Sequence, residues 1–162
     1  MVESMPKDSA GVLLFRGDAP ADVEVLLAHP GGPVWAKKDD RGWTIPKGEP
    51  SPGEDLFAAA KREFEEEMGS KPSARDFIPL GSILQPSGRK IVHVWAARAD
   101  FDVASVTSNM FSMEWPPRSG RTQQFVEVDR AEWFSIATAR RKIWAGQEPF
   151  LDRLIEAVSS RN

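Results

Sequence analysis

The 162-residue chain has no cysteine. This excludes disulfides, thiolate metal sites and thiol catalysis, and it fits a reducing compartment. It also has no tyrosine, so any stacking on a base falls to other aromatics. Only two histidines occur, His29 and His93, each alone in a strand-like pattern, and both are read as structural. No apolar run approaches the roughly 18 residues of a membrane span. Residues 1–10 are polar and lack the apolar stretch of a signal peptide, so a cytoplasmic protein without membrane contact is expected. Charge is nearly balanced, with 21 basic against 24 acidic residues and a net charge of −3, which gives no bulk attraction to nucleic acid or an anionic membrane. Internal repeats and low-complexity segments are absent as well.

What remains reads as one domain over residues 1–162, long enough to bury roughly 70% of the surface of its unfolded form. Residues 11–15 and 23–29 are apolar runs of strand length, separated by the turn signal Asp18-Ala19-Pro20. A loop rich in glycine, proline and charge follows, then a short strand at Trp43-Thr44-Ile45. Ser51-Pro52-Gly53-Glu54 has the form of a helix start, with Ser51 as N-cap and glutamate at capping-box spacing. The helix is expected to reach Met68 and stop at Gly69. Residues 78–85 and 90–97 read as two strands, the second with Ile91, His93 and Trp95 on one face. Residues 111–115 are strand-like, residues 125–134 hold a last strand, and residues 137–143 and 149–158 are helical by periodicity. Strands, a central helix, more strands and terminal helices predict an α+β fold with a mixed sheet between helices.

The central helix carries the chemistry. At helical spacing, Leu56, Phe57, Ala60, Phe64 and Met68 form an apolar stripe, and Glu63, Glu66 and Glu67 form an acidic arc along its edge. A like-charged i,i+4 pair such as Glu63 and Glu67 costs roughly 0.2–0.5 kcal/mol even when exposed, and partial burial raises that cost. One reading is a solvated acidic face. The other is a site for a hard cation such as Mg²⁺, which takes oxygen ligands and binds phosphates. No lysine lies on this face to compensate the glutamates.

Read outward from the helix, Gly48, then Glu54, then Arg62-Glu63-Phe64-Glu65-Glu66-Glu67-Met68-Gly69 stand at the spacing G-x5-E-x7-R-E-U-x-E-E-x-G-U, with U apolar. This resembles the Nudix box. Every charged and glycine position matches, and only the final apolar position, Ser70, departs. The resemblance implies an αβα sandwich around a central mixed sheet. It also implies a pyrophosphohydrolase, in which water attacks phosphorus in a nucleoside diphosphate linked to a further group. Glu63, Glu66, Glu67 and the Gly48 carbonyl are then the expected ligands of between one and three Mg²⁺ or Mn²⁺ ions. Arg62 would orient a glutamate, with Glu54 as its partner. The general base is Glu63 or a later carboxylate, for which Glu127 and Glu114 are candidates. The alternative is a non-catalytic Nudix-like domain that binds a nucleotide for regulation.

Pro46-Lys47-Gly48 resembles the lead-in of the dinucleoside polyphosphate and diphosphoinositol polyphosphate branches, which favours dinucleoside polyphosphates, with nucleoside triphosphates next. A lysine there supplies a point charge for a polyphosphate. Lys37, Lys38, Arg41, Arg89, Arg118 and Arg121 lie in predicted loops and are candidates for a basic rim. Trp115 and Trp35 could replace the missing tyrosine as stacking platforms. Monomer and homodimer both stay open, as does the place of Trp144 in the core or at an interface.

Overall fold

The computed structural model describes residues 5–160. The central sheet runs β4 (Phe77–Leu84), β5 (Lys90–Arg98), β1 (Lys7–Arg16), β2 (Glu24–Pro30), β8 (Val128–Ser135). Strands β1 and β5 are parallel, and the other pairings along this path are antiparallel. A separate hairpin is formed by β6 (Met110–Glu114) and β7 (Thr122–Val126). Among the described residues, no helix is long and apolar enough to cross a membrane.

Strand β1 is buried on both faces, and its alternation builds two cores. Leu13 and Phe15 point into a cluster with Val25, Leu27, Trp43, Val92, Val94 and the residues of α2 (Ile136–Lys142) and α3 (Pro149–Ser160). Val12 and Leu14 point the other way, against Ala59, Ala60, Phe64 and Met68 of α1 (Leu56–Met68). The result is the expected αβα sandwich on a mixed sheet.

The pairing of β1 with β2 is confined to Phe15–Val25 and Arg16–Glu24. Below that the two strands splay, and the chain from Trp43 to Gly48 fills the gap. Thr44 bridges to Ala28 of β2, while β3 (Lys47–Gly48) pairs with Gly11 and Ala10 of β1. The expected strand at Trp43-Thr44-Ile45 is therefore two isolated bridges, and the ladder forms further on, past Pro46. Gly11 is required here, because a Cβ would collide with the Pro46 carbonyl and the Lys47 side chain. The single strand expected near residues 125–134 is two, β7 and β8, separated at Glu127.

Helix α1 starts four residues later than the sequence suggests. Gly53 has φ +77°, which a right-handed helix cannot contain. Ser51 to Glu54 instead form a turn closed by Glu54 N–H to the Ser51 carbonyl (2.9 Å) and by the Ser51 N–H to the Glu54 carboxylate (2.9 Å). Asp55 is the N-cap, its carboxylate accepting from the Ala58 N–H at 3.0 Å. The Asp55→Ala variant is expected to lower stability by about 1 kcal/mol, measured by denaturant unfolding, and Ser51→Ala by less. Equal losses would restore Ser51 as the cap. Gly69 ends the helix as expected, at φ 94°. The buried face is Ala59, Ala60, Phe64, Glu67 and Met68. Leu56 and Phe57 are only half-buried, because the first turn overhangs the sheet edge, where Phe57 meets Phe77 and Trp95.

Candidate active site

Filling the splay between β1 and β2 brings Lys47 and Gly48 beside α1. Glu63 and Glu67, one turn apart, face them across a cleft of about 450 Å³, also lined by Glu127, Gly31, Trp35, Phe111 and Trp144. The Glu63 carboxylate lies so close to Gly48 that a Cβ at that position would strike it. A side chain at 48 would therefore displace the Glu63 carboxylate from the place it holds in the cleft. The Lys47 N–H donates to the Glu67 carboxylate at 2.8 Å.

Arg62 holds the other carboxylates. Its guanidinium donates to both Glu54 oxygens (2.9 Å each), to Glu63 and Glu66 (3.0 Å each) and to the Glu49 carbonyl (3.2 Å). Glu54 does serve as its partner, and these bonds, with that from Ser51, hold the Glu54 carboxyl down to about 2. The compensating cation is therefore on the helix itself, at a position the expected partner list left to Glu54 alone. Arg62 bonds Glu63 and Glu66, and among the described residues no three acidic or histidine side chains stand close enough to hold an ion.

The cleft nevertheless carries more negative charge than its surroundings compensate. Burial raises the Glu63 carboxyl, opposed by Arg62 and reinforced by Glu66 and Glu127. Burial raises Glu67 to about 8, against the charge and N–H of Lys47, with Glu127 and Glu63 adding repulsion. Glu127 is raised by burial and by Glu66. Carboxylates that bind protons this readily would bind an added cation in their place. An oxygen-only donor set of this kind fits a hard divalent ion. Lys47 is shifted the opposite way, down to about 8, by burial and then by the neighbouring Lys90.

Of the two later carboxylates, Glu127 lines the cleft and Glu114 does not. The Glu114 carboxylate instead accepts the Arg118 N–H at 2.8 Å. Trp115, Arg118 and Arg121 sit at the tip of the β6–β7 hairpin and line no part of the cleft. The physical reason is that this hairpin pairs with no strand of the central sheet, so only its base approaches the site, where Phe111 and Glu127 line the cleft and the Asn109 N–H donates to the Glu66 carbonyl at 2.9 Å. Arg41 is engaged by Glu148 at 2.7 Å, and Lys38 lies over the Trp35 ring at 4.7 Å.

Trp35 does line the cleft, and its ring packs on Trp144 at 5.1 Å between centroids. Trp144 is half-buried and belongs to this wall, and its backbone N–H donates to the Trp43 carbonyl at 2.8 Å, which ties the α2–α3 connection to the lead-in of Lys47. No local pattern signals that pairing across a hundred residues. His29 is fully buried and structural as expected. Its ring nitrogens meet Asp129 at 2.9 Å and the Lys38 carbonyl at 2.6 Å, fastening the loop that carries Trp35.

The sequence model of the NUDIX domain matches residues 5–154. The chain belongs to the NUDIX family. An RNA pyrophosphohydrolase of Caulobacter vibrioides is 43% identical over 53 residues, covering 30% of this chain and 31% of that protein; the match thus spans under a third of the relative's length. A crystal structure of a C. elegans Ap4A hydrolase binary complex superposes with a TM-score of 0.63 at 19% identity, covering 94% of this chain and 98% of the other. The NUDIX domain of Shewanella oneidensis NrtR complexed with ADP ribose superposes with a TM-score of 0.59 at 17% identity, covering 98% and 90%. At these identities the two structures establish a common NUDIX fold.

Proposed function

We propose that the protein is a divalent-metal-dependent pyrophosphohydrolase acting on a nucleoside diphosphate linked to a further group. The observation that carries this reading is the meeting of Glu63 and Glu67 from α1 with Glu127 from the β7–β8 junction in one cleft beside Lys47. Glu63, Glu66, Glu67 and the Gly48 carbonyl would hold the cation, which when bound supplies charge neutralisation for the diphosphate and acidifies water. Lys47 neutralises phosphate oxygens from the opposite wall. Glu127 is the general base: its carboxylate lines the cleft with burial and the charge of Glu66 acting on it and no hydrogen-bond partner among the described residues, whereas Glu63 is tied to Arg62. In the reaction the water oxygen bonds to phosphorus, the bridging P–O bond breaks, Glu127 takes the water proton and the phosphate leaving group departs. Arg62 and Glu54 are positioning residues for Glu63 and Glu66. The family and its Ap4A hydrolase and RNA pyrophosphohydrolase relatives support this class, with dinucleoside polyphosphates or nucleoside triphosphates the favoured substrates, in the cytoplasm.

The second reading, a nucleotide-binding regulatory domain without turnover, draws on the grip of Arg62 on Glu63 and Glu66 and on the ADP ribose-bound NUDIX neighbour. One panel separates the two. Diadenosine tetraphosphate, ATP, ADP-ribose, a diphosphoinositol polyphosphate and a 5′-triphosphorylated RNA are incubated with Mg²⁺, Mn²⁺ or EDTA. Metal-dependent release of phosphate or nucleotide is expected for at least one class, with Glu127→Gln lowering kcat about 10²–10⁴-fold. Binding without release from any of them would establish the regulatory reading instead.

A further inference from the structure

A second cavity, about 690 Å³, adjoins the cleft and shares Lys47 and Trp144 with it. Its other lining residues include Lys7, Arg89 and Lys90, and no carboxylate lines it. The charge pattern therefore inverts at Lys47: acidic on the side of Glu63, Glu67 and Glu127, basic on the other. Lys7 and Lys90 are direct cross-strand neighbours in the parallel β1–β5 pairing, an arrangement of like charges that destabilises a sheet. Arg89 is brought against them, since its carbonyl accepts the Lys7 N–H at 2.9 Å. Among the described residues neither Lys7 nor Arg89 forms an ion pair, and Lys90 meets only Glu49, at 3.9 Å. Lys47 faces Glu67, Glu63 and Glu49, but the other three cations, with a single weak partner among them, leave a positive potential that a polyanion would neutralise.

We infer that this basic groove is the subsite for the part of the substrate beyond the cleaved linkage, and that it selects chains of three or more consecutive phosphates over a lone diphosphate. The inference rests on the pyrophosphohydrolase reading. The diphosphate that is cut occupies the acidic cleft, and the remaining phosphates cross Lys47 to meet Lys7, Arg89 and Lys90. Trp144 stands at the same seam, with the Lys47 ammonium 5.3 Å from its ring centre. Lys7 and Arg89 are exposed, so their loss does not disturb the core.

The test compares wild type with Lys7→Gln/Arg89→Gln/Lys90→Gln and with Arg89→Glu alone, which keeps the strand pair intact. Steady-state kinetics are run on diadenosine tetraphosphate and on ADP-ribose, which carries only a diphosphate. In parallel, inorganic tripolyphosphate is titrated calorimetrically at low and high salt. KM for diadenosine tetraphosphate is expected to rise at least about tenfold in the triple variant, with kcat within about twofold. ADP-ribose kinetics should stay unchanged, and tripolyphosphate affinity should fall, most at low salt. Unchanged KM for the tetraphosphate, or an equal rise for both substrates, would overturn the selection. If wild type turns over neither these two substrates nor any other member of the five-substrate panel, the hydrolase reading fails, and the titration still decides the groove: weaker tripolyphosphate binding by the variants keeps it, equal binding ends it.

Discussion

Glu67→Gln is expected to lower kcat about a thousandfold and, in metal-free buffer at pH 8, to make the protein more stable. The two effects have one origin. Glu67 is 8% exposed, at the buried edge of α1, and its carboxyl is raised to about 8 chiefly by burial. A charge kept there opposes folding and favours whatever neutralises it. Glutamine has the same shape and can still accept the Lys47 N–H, so the fold loses no contact while the desolvation of an anion is removed. The gain is on the order of a few kcal/mol at pH 8. The amide no longer balances a divalent ion, and the transition state loses several kcal/mol of charge stabilisation; at 1.36 kcal/mol per tenfold this is about three decades. Thermal melts in EDTA and single-substrate kinetics read both halves. A variant that loses stability and activity together would mean that Glu67 is a packing residue.

The metal-free protein should also lose stability as pH rises from 5 to 8, and divalent ions should restore it most at pH 8. The sign follows from proton binding. Glu63, Glu67 and Glu127 all have carboxyls raised above their unfolded values. Above the unfolded pKa near 4.5 and below the folded one, the native state therefore holds more protons than the unfolded chain, and raising the pH favours unfolding. For Glu67 that window closes at about 8. The depressed Lys47, also at about 8, acts with the opposite sign and only above it. The expected loss is on the order of 3 kcal/mol, a fall in Tm of roughly 6–12 °C. Mg²⁺ or Mn²⁺ replaces those protons, so its stabilisation grows with pH. Melts at pH 5, 6.5 and 8 with EDTA or Mn²⁺ test this, and Glu67→Gln should flatten the metal-free profile. A wild-type melting point that does not move over this range, or a metal shift of equal size at all three pH values, would contradict the proposed linkage.

Local pattern was sufficient for much of this protein. The spacing of Gly48, Glu54, Arg62, Glu63, Glu66 and Glu67 identified the box, because helical periodicity alone places those glutamates along one edge. The apolar run in β1 and the periodicity in α3 marked a buried strand and a packed helix. The start of α1 was misplaced because Ser51 and Glu54 have capping-box chemistry, while Gly53 adopts a φ that only the folded turn reveals. Arg118 and Arg121 were candidates for a basic rim because they lie in predicted loops, and Trp115 for a stacking platform in place of a tyrosine, yet the hairpin that carries them pairs with no strand of the central sheet.

The sequence by itself determined the family through the spacing of the box, implied the sandwich through that resemblance, and placed the carboxylates of the helix along one edge by helical periodicity. Only the tertiary structure decided what those carboxylates face. The splay of β1 from β2, the insertion of Lys47 and Gly48 into it, the presence in the cleft of Glu127 and not Glu114, and the placing of Trp144 and Lys90 beside Lys47 all come from chain segments far apart in sequence. Charge and burial at such a meeting point are properties of the packed whole, and no window of neighbouring residues contains them.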